Sequence, residues 1–179
     1  MTTTYDCTSD DERARGLEHA QRAISEKKCV VLPTDTVYGI GADAFSPQAV
    51  TMLLVSKGRS RSMPPPVLIP RINALDGLAT EVSADARKLA EAFWPGGLTL
   101  ILHAQPSLDW DLGETKGTVA LRMPADEVAL ELLTLTGPLA VSSANRTGQA
   151  PAGTAAGARE QLADSVEVYL EGGQRPLEG

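Results

Sequence analysis

Residues 29–42 read CVVLPTDTVYGIGA, and this stretch decides the kind of fold. Residues 29–32 are a short uninterrupted apolar run that Pro33 stops, which is typical of a strand buried on both faces. Two threonines, an aspartate and a tyrosine follow at once. Functional side chains of open α/β sheets gather at the C-terminal ends of strands, so we expect a turn with site residues here. Taken alone, the stretch fits a plain turn better, with Thr34 or Asp35 capping backbone donors.

Helical patterns lie on both sides of this stretch. Apolar residues recur at helical spacing through residues 17–24 and predict an amphipathic helix that ends at a pair of lysines. Downstream, Ser46 as a cap and Pro47 at the first helical position predict a second helix. We expect this second helix to deliver Lys57 at its end.

The remaining pattern alternates between strands and helices. In chain order it predicts a strand at 67–69, a helix at 83–93, strands at 98–103 and 118–123, a helix at 124–136, a strand at 139–142, a helix at 154–163 and a strand at 166–170. Alternation of this kind predicts a single α/β domain over residues 1–179, with the sheet inside and helices flanking it. The strands at 98–103 and 118–123 are joined by an irregular segment instead of a helix. They should therefore pair antiparallel, which makes the sheet mixed.

The composition excludes several classes of protein. Sixteen basic and 23 acidic residues give a net charge of −7, which argues against a surface that follows a nucleic-acid backbone throughout. No apolar run approaches the roughly 20 residues that cross a bilayer, and the polar N-terminus does not resemble a signal peptide. We expect a cytoplasmic protein without a membrane partner. Cys7 and Cys29 form no disulfide framework or metal quartet, and we expect reduced thiols, with Cys29 in the core.

One segment of this acidic chain is basic. Residues 54–71 contain no acid and four cations, namely Lys57, Arg59, Arg61 and Arg71. Cations gathered in a cleft attract phosphate far more than scattered ones, so the segment predicts an anion site. On charge alone, a solvated loop fits slightly better.

A second polar segment, SSANRTGQAP at residues 142–151, directly follows a predicted strand. Ser142, Ser143 and Asn145 offer neutral donors, which suit the orientation of phosphate or carboxylate oxygens better than proton transfer. A plain loop is the competing interpretation. Together with the stretch after residue 32 and the basic segment, it points to a site for a small molecule and phosphate.

Common catalytic motifs are missing from the chain. It has no P-loop, no H-E-x-x-H and no G-x-S-x-G. Gly39, Gly41 and Ala44 form an isolated G-x-G-x-x-A, but Asp43 within it would repel a pyrophosphate, so we do not expect a dinucleotide site. His103 ends an apolar run and is expected to be structural.

Five motifs of this chain resemble those of the YrdC-like family in their order and spacing. They are PTDTVYGIG at 33–41, KGR at 57–59, WPGGLT at 94–99, ALRMP at 120–124 and SAN at 143–145. The resemblance implies a twisted mixed sheet with a concave basic cleft. It also implies a nucleotidyltransferase, an L-threonylcarbamoyladenylate synthase. Such an enzyme makes threonylcarbamoyl-AMP and pyrophosphate from L-threonine, bicarbonate and ATP, for threonylcarbamoyladenosine in tRNA.

The resemblance also implies roles for particular residues. In this reaction a carbamate attacks the α-phosphate and both groups are negatively charged, so cations are needed more than a protein nucleophile. Lys57 and Arg59 would neutralise the phosphates and the carbamate, while Ser143 and Asn145 would hydrogen-bond them. These four residues form the expected catalytic set and, together with Arg61, the expected nucleotide site.

The threonine end of the site is assigned in the same way. Thr34 matches the family's threonine-contacting position, and Arg122 matches the arginine that holds the substrate carboxylate. Mg²⁺ is implied by ATP. It should be ligated mainly by phosphate oxygens and water, because these motifs hold no cluster of acids, so no protein metal ligand is expected. A tRNA-modification transferase is the implied partner that receives the adenylate.

Other functions remain open at this point. A non-catalytic RNA-binding or ribosome-associated YrdC-like paralogue would share the fold, although the net charge predicts only weak RNA binding. A carbamoyl-transfer domain of the hydrogenase-maturation type would need attached regions for which the chain has neither the length nor the cysteines. The family usually continues past a Gly-Gly pair, here residues 172–173, to an S-T-[IV]-[VL]-D segment. We expect this closing segment to be absent from the 179 residues.

Overall fold

Nine strands and six α-helices follow one another along residues 2–176, the part of the chain that the computed structural model describes. The strands are β1 (Thr3–Asp6), β2 (Val30–Leu32), β3 (Gly39–Asp43), β4 (Val67–Leu68), β5 (Ala79–Thr80), β6 (Leu100–Ala104), β7 (Thr118–Arg122), β8 (Leu139–Ser143) and β9 (Val168–Glu171). The helices are α1 (Asp10–Ser25), α2 (Pro47–Lys57), α3 (Leu75–Leu78), α4 (Ala84–Phe93), α5 (Glu127–Thr136) and α6 (Ala155–Leu162). None of the helices in this part of the chain combines the length and the apolar character that a membrane crossing needs.

All nine strands join one mixed sheet in the order β1-β9-β2-β3-β8-β4-β7-β6-β5. The pairs β1/β9, β2/β9 and β4/β7 are parallel, and the other neighbours are antiparallel. The predicted antiparallel pair is confirmed, with Ile101 of β6 opposite Ala120 of β7. The expected α/β fold with a mixed sheet is therefore correct.

The ends of α2 follow from its sequence. The Ser46 hydroxyl accepts a hydrogen bond from the Ala49 N–H at 3.2 Å, and Pro47 occupies the first turn, where no N–H is needed. Gly58 then adopts a left-handed conformation with φ of 70°, which glycine tolerates and which ends the helix. Lys57 is consequently the last helical residue, as predicted.

Three strands, β1, β3 and the short β5, were not predicted from the sequence, and neither was the short helix α3. Residues 39–43, expected to belong to a turn, form the buried central strand β3. A Cβ on Gly39 would lie 2.5 Å from the Val141 side chain, so glycine is required for β3 to pack closely on β8. The G-x-G-x-x-A pattern thus reflects strand packing. The polar N-terminus forms the edge strand β1, which pairs with β9.

The sheet is covered on both faces by helices, and each face has its own apolar core. Val30 and Leu32 of β2 point into the core beneath α1 and α5, while Val31 points into the core beneath α2 and α6. Both cysteines are free and buried, with Cys7 in the first core and Cys29 in the second. The predicted core position of Cys29 is confirmed.

One half of the α1/α5 face is open. Leu68 belongs to the core beneath α1 and α5, and it lies opposite Arg122 in the sheet, so Arg122 and Ala120 point to the same face. Ile101, opposite Ala120, is nevertheless 73% exposed. The helices therefore leave an open groove over β6 and β7.

Candidate active site

A cavity of about 150 Å³ lies where the covered and open halves of this face meet. Its walls come from the turn between β2 and β3 and from the last residues of β7 and β8. They include Thr34, Thr36, Val37, Tyr38, Leu68, Thr99, Arg122, Val141, Ser142 and Ser143. The predicted gathering of polar side chains at C-terminal strand ends is therefore present.

Lys57 lies directly behind the serine wall of this cavity. Its Nζ donates to the carbonyl oxygen of Ser143 and, at 2.8 Å, to that of Asn145. Only 2% of the residue is exposed. Burial, together with a smaller effect of repulsion from Arg59, lowers the pKa of the ammonium from its ordinary 10.5 to about 8. The end of α2 thus places the ammonium group of Lys57, which loses its proton more easily than an ordinary lysine, at the loop that follows β8.

Arg59 contacts the neighbouring serine. Its Nη1 donates to the Ser142 hydroxyl at 2.7 Å. Its Nε is buried and has no hydrogen-bond partner among the described residues. A buried N–H without an acceptor is costly, so this atom is a donor that a bound anion would satisfy.

Asn145 holds its own loop together. Its Nδ2 donates to the carbonyl oxygens of Arg146 at 2.9 Å and Gln149 at 3.0 Å, while Oδ1 lies 3.5 Å from the Lys57 Nζ. Ser143, in contrast, lines the cavity. The structure therefore joins Lys57, Ser143 and Asn145 in one cluster, with Asn145 at its inner side.

Thr34 organises the turn between β2 and β3. Its hydroxyl donates to the Val37 carbonyl at 2.5 Å and accepts from the Thr36 N–H at 3.1 Å. The residue is 3% exposed and still lines the cavity. The interpretation of this segment as a turn capped by Thr34 is therefore confirmed. The same residue also lines the cavity, and its contact with a substrate stays a prediction.

Arg122 is fixed by that same turn. Its Nη2 donates to the Asp35 carboxylate at 2.5 Å, its Nη1 to the Thr36 hydroxyl at 3.2 Å and its Nε to the Gly96 carbonyl at 2.9 Å. Asp35 also accepts from the Ala125 N–H at 2.9 Å. Three of the five N–H groups of the guanidinium are engaged. The other two have no acceptor within residues 2–176.

Arg61 lies apart from this group. It forms an ion pair of 2.8 Å with Asp111, and about half of each side chain is exposed. Within the described part of the chain it makes no hydrogen bond to the Lys57 cluster. Its role in nucleotide binding stays a prediction.

Sequence reasoning missed two residues that support the turn from behind. The buried Tyr38 hydroxyl donates to the Gly173 carbonyl at 2.6 Å and accepts from the Gly172 N–H at 2.9 Å. Burial raises the pKa of this phenol well above its ordinary range. Arg175 donates from Nε to the Thr34 carbonyl at 2.7 Å. No local pattern marks Arg175, because its partner is 141 residues away.

The site offers no built metal centre. Among residues 2–176, no group of three histidine, cysteine, aspartate or glutamate side chains is placed to hold a metal ion. Asp35, the carboxylate next to the cavity, is engaged by Arg122 and the Ala125 N–H. The residues present do not fit a protein-held Mg²⁺.

The fold and the site define an α/β protein with a small-molecule cavity that cations flank. The chain belongs to the Sua5/YciO/YrdC family, whose family model, described as "Telomere recombination", matches residues 22–178. The family expected from the five motifs is confirmed.

Relatives place the chain within this family. It is 52% identical over 173 residues to a Mycobacterium tuberculosis H37Rv protein named "Putative threonylcarbamoyl-AMP synthase", covering 97% of this chain and 80% of the relative. It is 38% identical over 152 residues to the Pyrococcus abyssi protein named "Threonylcarbamoyl-AMP synthase", covering 84% of this chain and 45% of the relative.

Solved structures agree with this assignment. P. abyssi Sua5 complexed with L-threonine matches with a TM-score of 0.87 at 33% identity, over 98% of this chain and 51% of that one. Escherichia coli YciO matches with a TM-score of 0.86 at 20% identity, a likeness of fold alone. The chain thus spans about half the length of the Sua5 chain.

Proposed function

We propose that this protein is a threonylcarbamoyl-AMP synthase. As a nucleotidyltransferase it would join L-threonine, bicarbonate and ATP into threonylcarbamoyl-AMP and release pyrophosphate and water. One observation carries the proposal: a single small cavity joins Thr34, Arg122 and Ser143, with Lys57 and Arg59 at its serine wall. The 52% identity to a relative bearing this name supports it.

The threonine end of the proposed site combines polar and apolar walls. Thr34 and Arg122 belong to the polar lining, and Val37, Leu68 and Val141 form the apolar lining. A cavity of about 150 Å³ suits a small amino acid and not a large one. The two free N–H groups of Arg122 would bind the substrate carboxylate, and the apolar wall would contact the methyl group.

The phosphate end supplies positive charge to the reaction. Attack of a carbamate oxygen on the α-phosphate brings two anions together, while the pyrophosphate departs with the electron pair of the broken P–O bond. Lys57 and the unpaired Nε–H of Arg59 are already in place, so their charge stabilises this arrangement without reorganisation. The hydroxyls of Ser142 and Ser143 would orient the phosphate oxygens.

The nucleoside would lie in the open groove. This groove, of about 260 Å³, lies along β6 and β7 and is lined by Pro64, Pro65, Ile101, Thr118 and Ala120 among others. Apolar surface that helices leave uncovered suits the faces of adenine and ribose. Mg²⁺ would enter with the ATP phosphates. The product would pass to an enzyme that modifies tRNA, and we propose that the reaction takes place in the cytoplasm.

The decisive experiment measures pyrophosphate release from ATP and bicarbonate, with and without L-threonine. We expect release to require threonine, and Thr34→Ala and Arg122→Ala to raise the KM for threonine more than that for ATP. Arg159→Ala is a matched control, because Arg159 hydrogen-bonds Thr4 at the far edge of the sheet. Release independent of threonine would contradict the proposal. Absent release together with salt-dependent RNA binding would favour the RNA-binding alternative.

A further inference from the structure

Arg175 joins three segments around the candidate site. Its Nε donates to the Thr34 carbonyl at 2.7 Å, and its Nη2 forms an ion pair of 2.6 Å with Asp126, at the start of α5. Its Nη1 donates to the Gly172 carbonyl at 2.9 Å. One guanidinium therefore holds the β2–β3 turn, the N-terminus of α5 and its own segment together.

The contacts of Arg175 lead to both residues of the proposed threonine end. Through the Thr34 carbonyl it fixes the backbone of the residue whose hydroxyl lines the cavity. Its contact with Asp126 fixes the backbone at the neighbouring Ala125. The N–H of Ala125 donates to the Asp35 carboxylate. Asp35 in turn holds Arg122.

The guanidinium is well placed to fix these groups. The Arg175 side chain is 18% exposed and that of Asp126 is 8% exposed, so solvent screens the pair only weakly. The Arg175 N–H also donates to the Gly153 carbonyl at 2.7 Å, which anchors the backbone from which the side chain reaches. Charge-assisted hydrogen bonds in such a setting are stronger and shorter than neutral ones.

We infer that Arg175 is a positioning residue for L-threonine. It lies behind the turn, is absent from the cavity lining and acts through the Thr34 carbonyl and Asp126. This inference rests on the proposed function, because it assigns Thr34 and Arg122 to threonine. We expect the effect of Arg175 to be specific to threonine, since Arg175 makes no hydrogen bond to Lys57, Arg59 or the serines of β8 within residues 2–176.

The test compares the KM for threonine with the KM for ATP in Arg175→Ala, Arg175→Lys and Asp126→Asn. Asparagine keeps the helix cap that Asp126 gives to the Ala129 N–H at 2.9 Å while removing the charge that Arg175 binds. Arg13→Ala is the matched control. Arg13 is 20% exposed and pairs with Glu131 of α5 at 2.5 Å, but it does not contact the turn in the described structure.

We expect Arg175→Ala and Asp126→Asn to raise the KM for threonine by about tenfold, the loss of one charge-assisted contact, and to change the KM for ATP by less than about twofold. Lysine should rescue part of this loss, because it can reach one acceptor but not all three. Arg13→Ala should leave both values unchanged. Kinetics are compared below the unfolding temperature of each variant, and Asp126→Asn decides the matter if Arg175→Ala does not fold.

Two failures are distinguishable. Wild-type protein without threonine-dependent pyrophosphate release would overturn the proposed function and this inference with it. An active wild type would overturn the inference alone if the two variants kept the wild-type KM for threonine, or changed both KM values equally.

Discussion

Lys57 is a cation in a place that normally excludes one. Its side chain is 2% exposed, and an unpaired buried ammonium would lose its proton or destabilise the fold. Two backbone carbonyls, of Ser143 and Asn145, partly replace the lost water. They hold the ammonium group in place, and an anion bound beside it would stabilise the charged form further.

Replacement of Lys57 by methionine should show what this charge contributes. Lys57→Met retains most of the side-chain volume and removes the charge, so we expect kcat/KM for pyrophosphate release to fall by about a hundredfold, typical of a lost electrostatic contact to a transition state. Lys88→Met, at an exposed position of α4, is the control. Near-normal rates in Lys57→Met would show that the buried ammonium only holds the loop.

The lowered pKa of Lys57 predicts a pH dependence. The charged form exists below the folded-state pKa of about 8, so kcat/KM for ATP should fall as pH rises through that value. Between about 8 and 10.5 the unfolded chain still binds a proton that the folded chain has released, so this group makes the free energy of unfolding rise with pH. A rate profile that stays flat to pH 10.5 would contradict the assignment of the charge to catalysis.

Among the elements, those with local signals could be predicted. Caps at Ser46 and Ser83 and apolar periodicity located α2 and α4 correctly. The strand β3 could not be predicted, because glycine favours turns and the close packing on β8 that requires it is a tertiary contact. The edge strand β1 is polar and depends on its pairing with β9.

Gly39→Ala tests the close packing of β3 on β8. A Cβ at this position meets the Val141 Cγ1 at 2.5 Å, so the strands must shift. We expect the free energy of unfolding to fall by about 1–3 kcal/mol in urea titrations, as for other overpacked cores. Gly77→Ala in α3 is the control, because a Cβ there meets no heavy atom within 4 Å apart from its chain neighbours and the backbone of its own helix. Equal stability of the two variants would contradict the packing argument.

Some residues of the site could be predicted from the sequence, and others depend on how the whole molecule folds. Lys57 and Arg59 are neighbours in sequence, and their segment stands out by charge. The pairing of Arg175 with Thr34 depends on how the whole sheet orders its strands, since β9 brings the end of the described chain beside β2. The open half of the sheet face is likewise a result of where α1 and α5 end.

One buried thiol lies beneath each of the two helical layers, so the reactivity of each thiol reports on the opening of its own layer. Burial raises the pKa of Cys7 to about 11 and that of Cys29 to about 12, so both should resist alkylation while the protein is folded. Neighbouring residues of β2 point alternately into the two cores, so neither layer should detach without disturbing the other. We therefore expect both thiols to become reactive at the same urea concentration, measured by mass spectrometry of the labelled peptides. Alkylation of Cys7 well below the midpoint for Cys29 would instead reveal that the α1/α5 layer opens as an independent unit.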